Sequence, residues 1–178
     1  MANCLLNKNI LKGDNCKYSL PQVTDIYLAN YNDVSGTSAT TDCTGTSGVE
    51  ITDIAMAASA QFYHIEPAKG SVNFSDELQV TDTGRKYKTH TLTFSLPNGY
   101  DKDLVCSVDA LALGRFIAVV VTADGQWLMM GRGVGLEANA NTIAGGNDAN
   151  GVTITLAADV AESVIPLSET AIGKVKGA

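Results

Sequence analysis

Between Gly70 and Leu96 the chain alternates apolar and polar residues, and this pattern restricts the fold more than any other. Ser71-Val-Asn-Phe-Ser75 alternates cleanly, and Asp76-Glu-Leu-Gln-Val-Thr81 carries the pattern to a turn at Asp82-Thr-Gly84. Tyr87-Lys-Thr-His-Thr-Leu-Thr-Phe-Ser-Leu96 then returns, Thr-rich, until Pro97-Asn-Gly99 breaks it. Successive side chains of a strand point to opposite faces, so this period sets one face on a core and the other in water, as in antiparallel sheets. Aspartate at Leu92 or at Phe94 is expected to separate the two faces, one change unfolding the chain and the other proving milder.

Shorter strands flank this region. Thr24–Tyr31 places Ile26 and Leu28 on one face and Tyr27 and Ala29 on the other. Val49–Ile54 and Gln61–Glu66 read as two more, the second ended by Pro67. Ser35 to Gly48 is small, hydroxylated and Gly-punctuated, a loop by composition. Ala55–Ala60 has helix propensity but is too short to hold a helix alone.

Only one segment adopts a helical period. Leu104, Val105, Val108, Leu111 and Ala112 form an apolar stripe, Asp101 and Asp103 suit a first turn, and Gly114 supplies the stop. Arg115–Ala123 then reads as a buried strand, with Asp124-Gly125 as a two-residue hairpin turn into Gln126–Met130. Gly135–Asn141 and Val152–Leu156 are the last strands, separated by a loop from Ala144 that ends in an Asn150-Gly151 turn. The sum predicts a mainly β fold: an antiparallel β-sandwich or open barrel with one flanking α-helix over about residues 100–113. Residues 1–22 form an N-terminal arm, 23–160 a single β-sandwich domain, and 161–178 a C-terminal arm that frays after Val164-Ile165-Pro166-Leu167.

Composition narrows the function. A chain of 178 residues accommodates one domain and leaves little room for a second core. Twelve Lys and Arg against 19 Asp and Glu give a net charge of -7, which argues against a protein that grips phosphates. A surface past which a polyanion slides stays compatible with that charge. The first residues lack the apolar run of a secretory signal, and the longest apolar strand, Phe116–Val121, is far too short to span a membrane. Cys4, Cys16, Cys43 and Cys106 contain no Cys-x-x-Cys pair, so reduced thiols are expected; a Cys4–Cys16 bridge stays open outside the cell.

No constellation of catalytic groups emerges. Gly131-Arg-Gly-Val-Gly135 has G-x-G-x-G spacing with no helix after it, so it reads as a hairpin turn rather than a dinucleotide fingerprint. His64 and His90 lie in alternating strands without a positioned nucleophile, and each reads as a solvent-facing or hydrogen-bonded strand histidine. Asp101, Asp103 and the Asp76-Glu77 pair fit turn and helix-start chemistry and lack calcium-loop spacing. A sugar site needs exposed aromatic platforms, and the single Trp127 lies in a strand that reads as buried. No cofactor, metal or enzymatic activity is expected.

Phe74–Pro97 (FSDELQVTDTGRKYKTHTLTFSLP), the helix after it, Arg115–Ala138 (RFIAVVVTADGQWLMMGRGVGLEA) and Asn150–Leu156 (NGVTITL) together resemble a group of small virion proteins. These belong to tailed bacteriophages and to prophages of gut anaerobes, and are similar to tail tube proteins. The likeness spans residues 70–160, with an echo in the DIYLANYNDV opening. It implies a sandwich that assembles with copies of itself into rings, hexameric ones, stacked head to tail around a channel. DNA would pass through as non-specific cargo, other tail or neck proteins would be partners, and no membrane would be involved. The protein would be made in the host bacterial cytoplasm and reside in the virion. The implied self-assembly contacts fall on arm 1–22 (Leu20, Pro21), on loop 35–48 and on hairpin 66–88 (Phe74, Asp76, Glu77, Leu78, Val80, Tyr87). The alternatives are a neck, tail-terminator or capsid-decoration protein of the same fold, or a monomeric module binding sugars or a host surface.

Overall fold

The apolar run Phe116–Val121 has no polar face, and the fold is organised around it. The computed structural model describes residues 22–42, 48–96, 102–145 and 150–177. Leu20, Pro21 and the rest of residues 1–21 of the expected arm 1–22 lie outside those residues, as do Cys4, Cys16, Cys43, Asp101 and the Pro97–Asn98–Gly99 break. The strands are β1 (Val23–Asn30), β2 (Val34–Asp42), β3 (Gly48–Met56), β4 (Tyr63–Ile65), β5 (Asn73–Val80) and β6 (Lys86–Leu96). Helix α1 (Lys102–Leu113) follows, then β7 (Arg115–Thr122), β8 (Trp127–Met130), β9 (Leu136–Gly145), β10 (Asn150–Val160), β11 (Ile165–Pro166) and helix α2 (Glu169–Lys176). The mainly β, antiparallel architecture with a flanking helix is as expected.

Strand β7 pairs along one edge with β1 and along the other with β8 and then β9. Beyond β9 the sheet continues through β10 and β6 to β5. Phe116, Ala118 and Val120 face a large core closed by Leu92, Phe94, Ile154 and Leu156 of the opposing strands. Ile117 and Val119 face a second cluster formed with Ile51, Ile54, Leu167 and Val175. One core was expected; two lie back to back, with β7 as their shared wall. That is why this strand tolerates no polar residue on either face.

Helix α1 buries Val108 and Leu111 on the large core, with Leu104 packed alongside. Val105 is 39% exposed, so the seated stripe is narrower than the periodicity predicts. Leu92 and Phe94, two residues apart, both face the core and are fully buried, which corrects the expectation that they separate the faces. The face-separating neighbours are Thr93 and Phe94.

Several loops of the sequence reading are ordered elements. Residues 35–42, part of the loop expected from Ser35 to Gly48, pair with β3, Thr37 opposite Ile54 and Ala39 opposite Ile51. Their small hydroxylated residues suit an outer strand whose hydroxyls bond across the pair, as Ser35 Oγ donates to the Ala55 carbonyl at 3.0 Å. Ala55–Ala60 finishes β3 and turns, with no helix. Strand β9 runs on to Gly145, and Asn150-Gly151 lies inside β10 opposite Gly145 and Ala144 instead of forming the turn.

The C-terminal segment does not fray. Ile165 pairs with Met129, the Leu167 N–H donates to the Trp127 carbonyl at 2.9 Å, and α2 sets Ala171 and Val175 on the second cluster. Ser168 caps α2 by accepting from the Ala171 N–H at 3.4 Å, with Glu169 in the first turn and Lys174 and Lys176 in the last, as the helix dipole favours.

The Asp124-Gly125 turn is a three-residue loop with a twin. The Thr122 N–H bonds to the Gln126 carbonyl at 2.9 Å, and the Gln126 N–H returns to Thr122 Oγ1 at 3.1 Å. At Thr81–Arg85 the same two bonds measure 2.9 and 3.1 Å.

Gly131–Gly135 forms no hairpin. It bows outward and returns the chain to the same edge of β7, from Ala118 opposite Met130 to Phe116 opposite Leu136. Gly135 has φ +84, and a Cβ there would sit 2.3 Å from Arg115 Cγ and 2.9 Å from Tyr31 Cδ2. Gly135→Ala is therefore expected to destabilise by about 2–4 kcal/mol, combining left-handed backbone strain with overpacking. Equilibrium urea unfolding checks this, and an unchanged midpoint would refute the close approach.

Candidate assembly surface

The layer β9-β10-β6-β5 has two contrasting faces. One lines the large core. The other carries Asn73, Ser75, Glu77 and Gln79 of β5, Tyr87 and the threonines of β6, and Thr153, Thr155 and Asp159 of β10. Hydroxyls link across this face: Thr93 to Thr155 at 3.0 Å, Ser95 to Thr153 at 2.8 Å, and Thr89 donating to Asp159 at 2.7 Å. Among the described residues of these four strands no Lys or Arg shares it. Glu137 at its border is neutralised by Arg115 at 2.6 Å. The face is hydroxylated and acidic.

Among the described residues both borders of the layer are open: β5 pairs only with β6, and β9 from Ala138 to Ile143 pairs only with β10. The Thr81 N–H bonds to Arg85, and the β5–β6 ladder is free of bulges. Alternation therefore turns the amides of Asn73, Ser75, Glu77 and Gln79 toward β6, and those of Phe74, Asp76, Leu78 and Val80 toward the open edge. Four antiparallel strands make an even number, so a copy related by rotation presents its β9 antiparallel to this β5. An unpaired edge of this length is a template for strand addition.

The residues singled out from sequence divide by face. Leu78 and Val80 are 56% and 57% exposed, because the β5–β6 hairpin overhangs the core. They keep facing the core side where β10 ends, at Val160 opposite Lys88. Glu77 and half-buried Tyr87 lie on the polar face. Phe74 packs against the large core, and Asp76 turns inward. Leu20 and Pro21 are outside the described residues.

Asp76 belongs to a buried polar clasp that sequence reasoning missed. Its Oδ2 accepts the Val164 N–H at 3.1 Å, and Lys88 Nζ lies 3.2 Å from Oδ1. His90, 1% exposed, accepts the Gly131 N–H on Nδ1 at 3.2 Å, and its Nε2 faces Asp76 Oδ1 at 3.9 Å without a hydrogen bond among the described residues. Arg132 completes the clasp, donating to Thr37 Oγ1 at 2.7 Å and to Glu162 at 3.0 Å. The overhanging hairpin, the glycine bow, the β10–β11 connection and the β2–β3 layer are thus tied at one place.

Burial would raise the Asp76 carboxyl, but the Val164 N–H, Lys88 and His90 outweigh it and hold it below the ordinary range. For His90, burial dominates and pushes the imidazole below its ordinary value of 6.5; Asp76 and the Glu162 carbonyl pull the other way, while Lys88 adds to the lowering. A histidine depressed on folding binds its proton more readily in the unfolded chain, so stability falls as pH drops below 6.5. The Asp76 contribution persists above 3.8 and is lost only below it. Denaturant midpoints measured from pH 7 to 4.5 should fall for the wild type, and His90→Gln should flatten that decline. An equally steep decline in His90→Gln would remove His90 as its cause.

Elsewhere His64 Nε2 lies 2.8 Å from Asp25 Oδ1, and its ring stacks on Tyr27 at 4.8 Å. Tyr27 stacks on Trp127 at 5.3 Å, and Lys176 covers Trp127 at 5.0 Å. Trp127 is half-buried rather than buried, and with Tyr27 and Lys176 stacked on it, it offers no open platform for a sugar. Among the described residues no three His, Cys, Asp or Glu side chains converge to hold a metal, and no helix is long and apolar enough to cross a membrane. Comparisons with protein-family models, curated proteins and solved structures found no match.

Proposed function

We propose that this chain is a non-enzymatic structural subunit that works by self-assembly, and that its place is the tail tube of a bacteriophage virion. The carrying observation is the even-numbered antiparallel layer whose two edges are open among the described residues. Rotated copies can join β5 to the next β9 and continue one sheet around a ring, which removes every open edge of that layer. Turned to a central channel, the hydroxylated, acidic face would let DNA pass without gripping it. The resemblance of residues 70–160 to tail tube proteins supplies the virion setting, with hexameric rings stacked head to tail and other tail or neck proteins at the ends. A neck, terminator or capsid-decoration role would use the same edges.

Negative-stain electron microscopy of the purified chain, with its mass in solution by light scattering, tests the proposal. Rings or tubes with a central hole are expected as concentration rises; isolated rings that never stack would favour a neck or terminator role. A strict monomer at high concentration would overturn self-assembly.

A further inference from the structure

The β9 border has an unusual neighbour. Ala112, Leu113, Gly114, Arg115, Glu137 and Ala138 line one surface depression, so the end of α1 stands beside β9 on its core side. Leu113 there is 89% exposed, and Val105 on the same outer stripe is 39% exposed. Asp109, one turn before Leu113, makes no ion pair among the described residues. Exposed Val105 and Leu113 beside Asp109 make a small apolar patch on the otherwise mixed outward side of α1, a patch that a neighbour can cover.

The overhanging hairpin offers the complement. Leu78 and Val80 project from the core side of β5 more than half exposed among the described residues, and Lys86 stands directly across from Val80, likewise without an ion pair among them. One patch is two apolar residues with an unpaired cation; the other is two apolar residues with an unpaired anion. A strand added antiparallel to the open edge of β9 turns its core-side residues to the side of α1; since Leu78 lies level with Val160 across the layer and Ala138 with Leu156, a stagger of four residues at the joint brings the two patches together.

Resting on the edge pairing above, we infer that Leu78 and Val80 of one copy seat on Leu113 of the next, with Lys86 facing Asp109 across the joint. The occupant is a second copy of this chain. The contact is heterologous, so the same two patches recur at every joint of a ring. It would also give the joint a side-chain register that backbone pairing alone leaves free to slip.

A charge exchange tests the seat. Lys86→Glu and Asp109→Lys, each confirmed folded by circular dichroism, should each raise the concentration for half-assembly by about threefold or more. Lys86→Glu/Asp109→Lys together should restore it. Leu113→Asp should raise that concentration by about tenfold or more. If the wild type forms rings and the single changes leave assembly untouched, or the double exchange fails to rescue, the seat is wrong and edge pairing stands. If the wild type forms no assembly at any concentration, both fall together.

Discussion

Phe94→Asp is expected to abolish the folded state, whereas Thr93→Asp should leave it intact. Phe94 is fully buried between β7 and β10, and truncating such a ring alone costs about 3–5 kcal/mol. A carboxylate in its place adds the desolvation of an unpaired charge, or of a protonated acid without a partner, with no donor at that position. A domain of this size has about 5–15 kcal/mol in all, so the sum removes most or all of it. Thr93 points the other way and bonds to Thr155 at 3.0 Å on the polar face, where an aspartate loses one hydrogen bond worth about 1 kcal/mol. Leu92→Asp should behave as Phe94→Asp does, since both side chains enter the same core. Circular dichroism and urea unfolding of the three variants check this; a folded Phe94→Asp would mean that the register of β6 is misplaced.

Leu78→Pro should leave the subunit folded and stop assembly, while Leu78→Ala should only weaken it. The Leu78 amide points to the open edge, so proline removes no bond to β6 and deprives an incoming strand of one donor at mid-edge. Its ring also holds φ near −65°, away from the flat extension that a continuous ladder prefers. Alanine keeps the amide and removes only side-chain contact. Light scattering across concentration separates the two variants: proline should give monomers, and alanine rings at higher concentration. Ring formation by Leu78→Pro would show that β5 is not the joining edge.

The elements legible in sequence were those whose burial differs between faces. Hairpin β5–β6 alternates because one side meets Leu156 and Ile154 and the other meets water, and α1 shows its stripe because Val108 and Leu111 are seated on the large core with Leu104 alongside. Strand β2 was not legible: it pairs along the outer edge of β3, and Ser, Thr and Gly are as suited to that position as to a loop. Helix α2 hid for a related reason, since it buries only Ala171 and Val175, too little to stand out in eight residues. The bow at Gly131–Gly135 was seen as a turn but not as a detour, because nothing local says that β7 waits on both sides of it. In the assembly surface, Leu78 and Val80 were named through the resemblance; alternation alone reads them as core-facing, and their exposure comes from the overhang of the hairpin. Alternation puts Asp76 on the same side as Phe74, but the clasp that holds it was not legible, because Val164, whose N–H it accepts, comes from a distant part of the chain.

The wall between the two cores is one strand thick, and this limits how the sequence can drift. A larger side chain at Val119 cannot be relieved by shifting β7 toward the other cluster, because Ala118 and Val120 already fill that space. Changes along Phe116–Val121 are therefore tolerated only when volume is kept on both sides at once. Random mutagenesis with selection for the folded chain should find this hexapeptide the least permissive stretch of the protein, with Ala118 accepting little beyond glycine or serine.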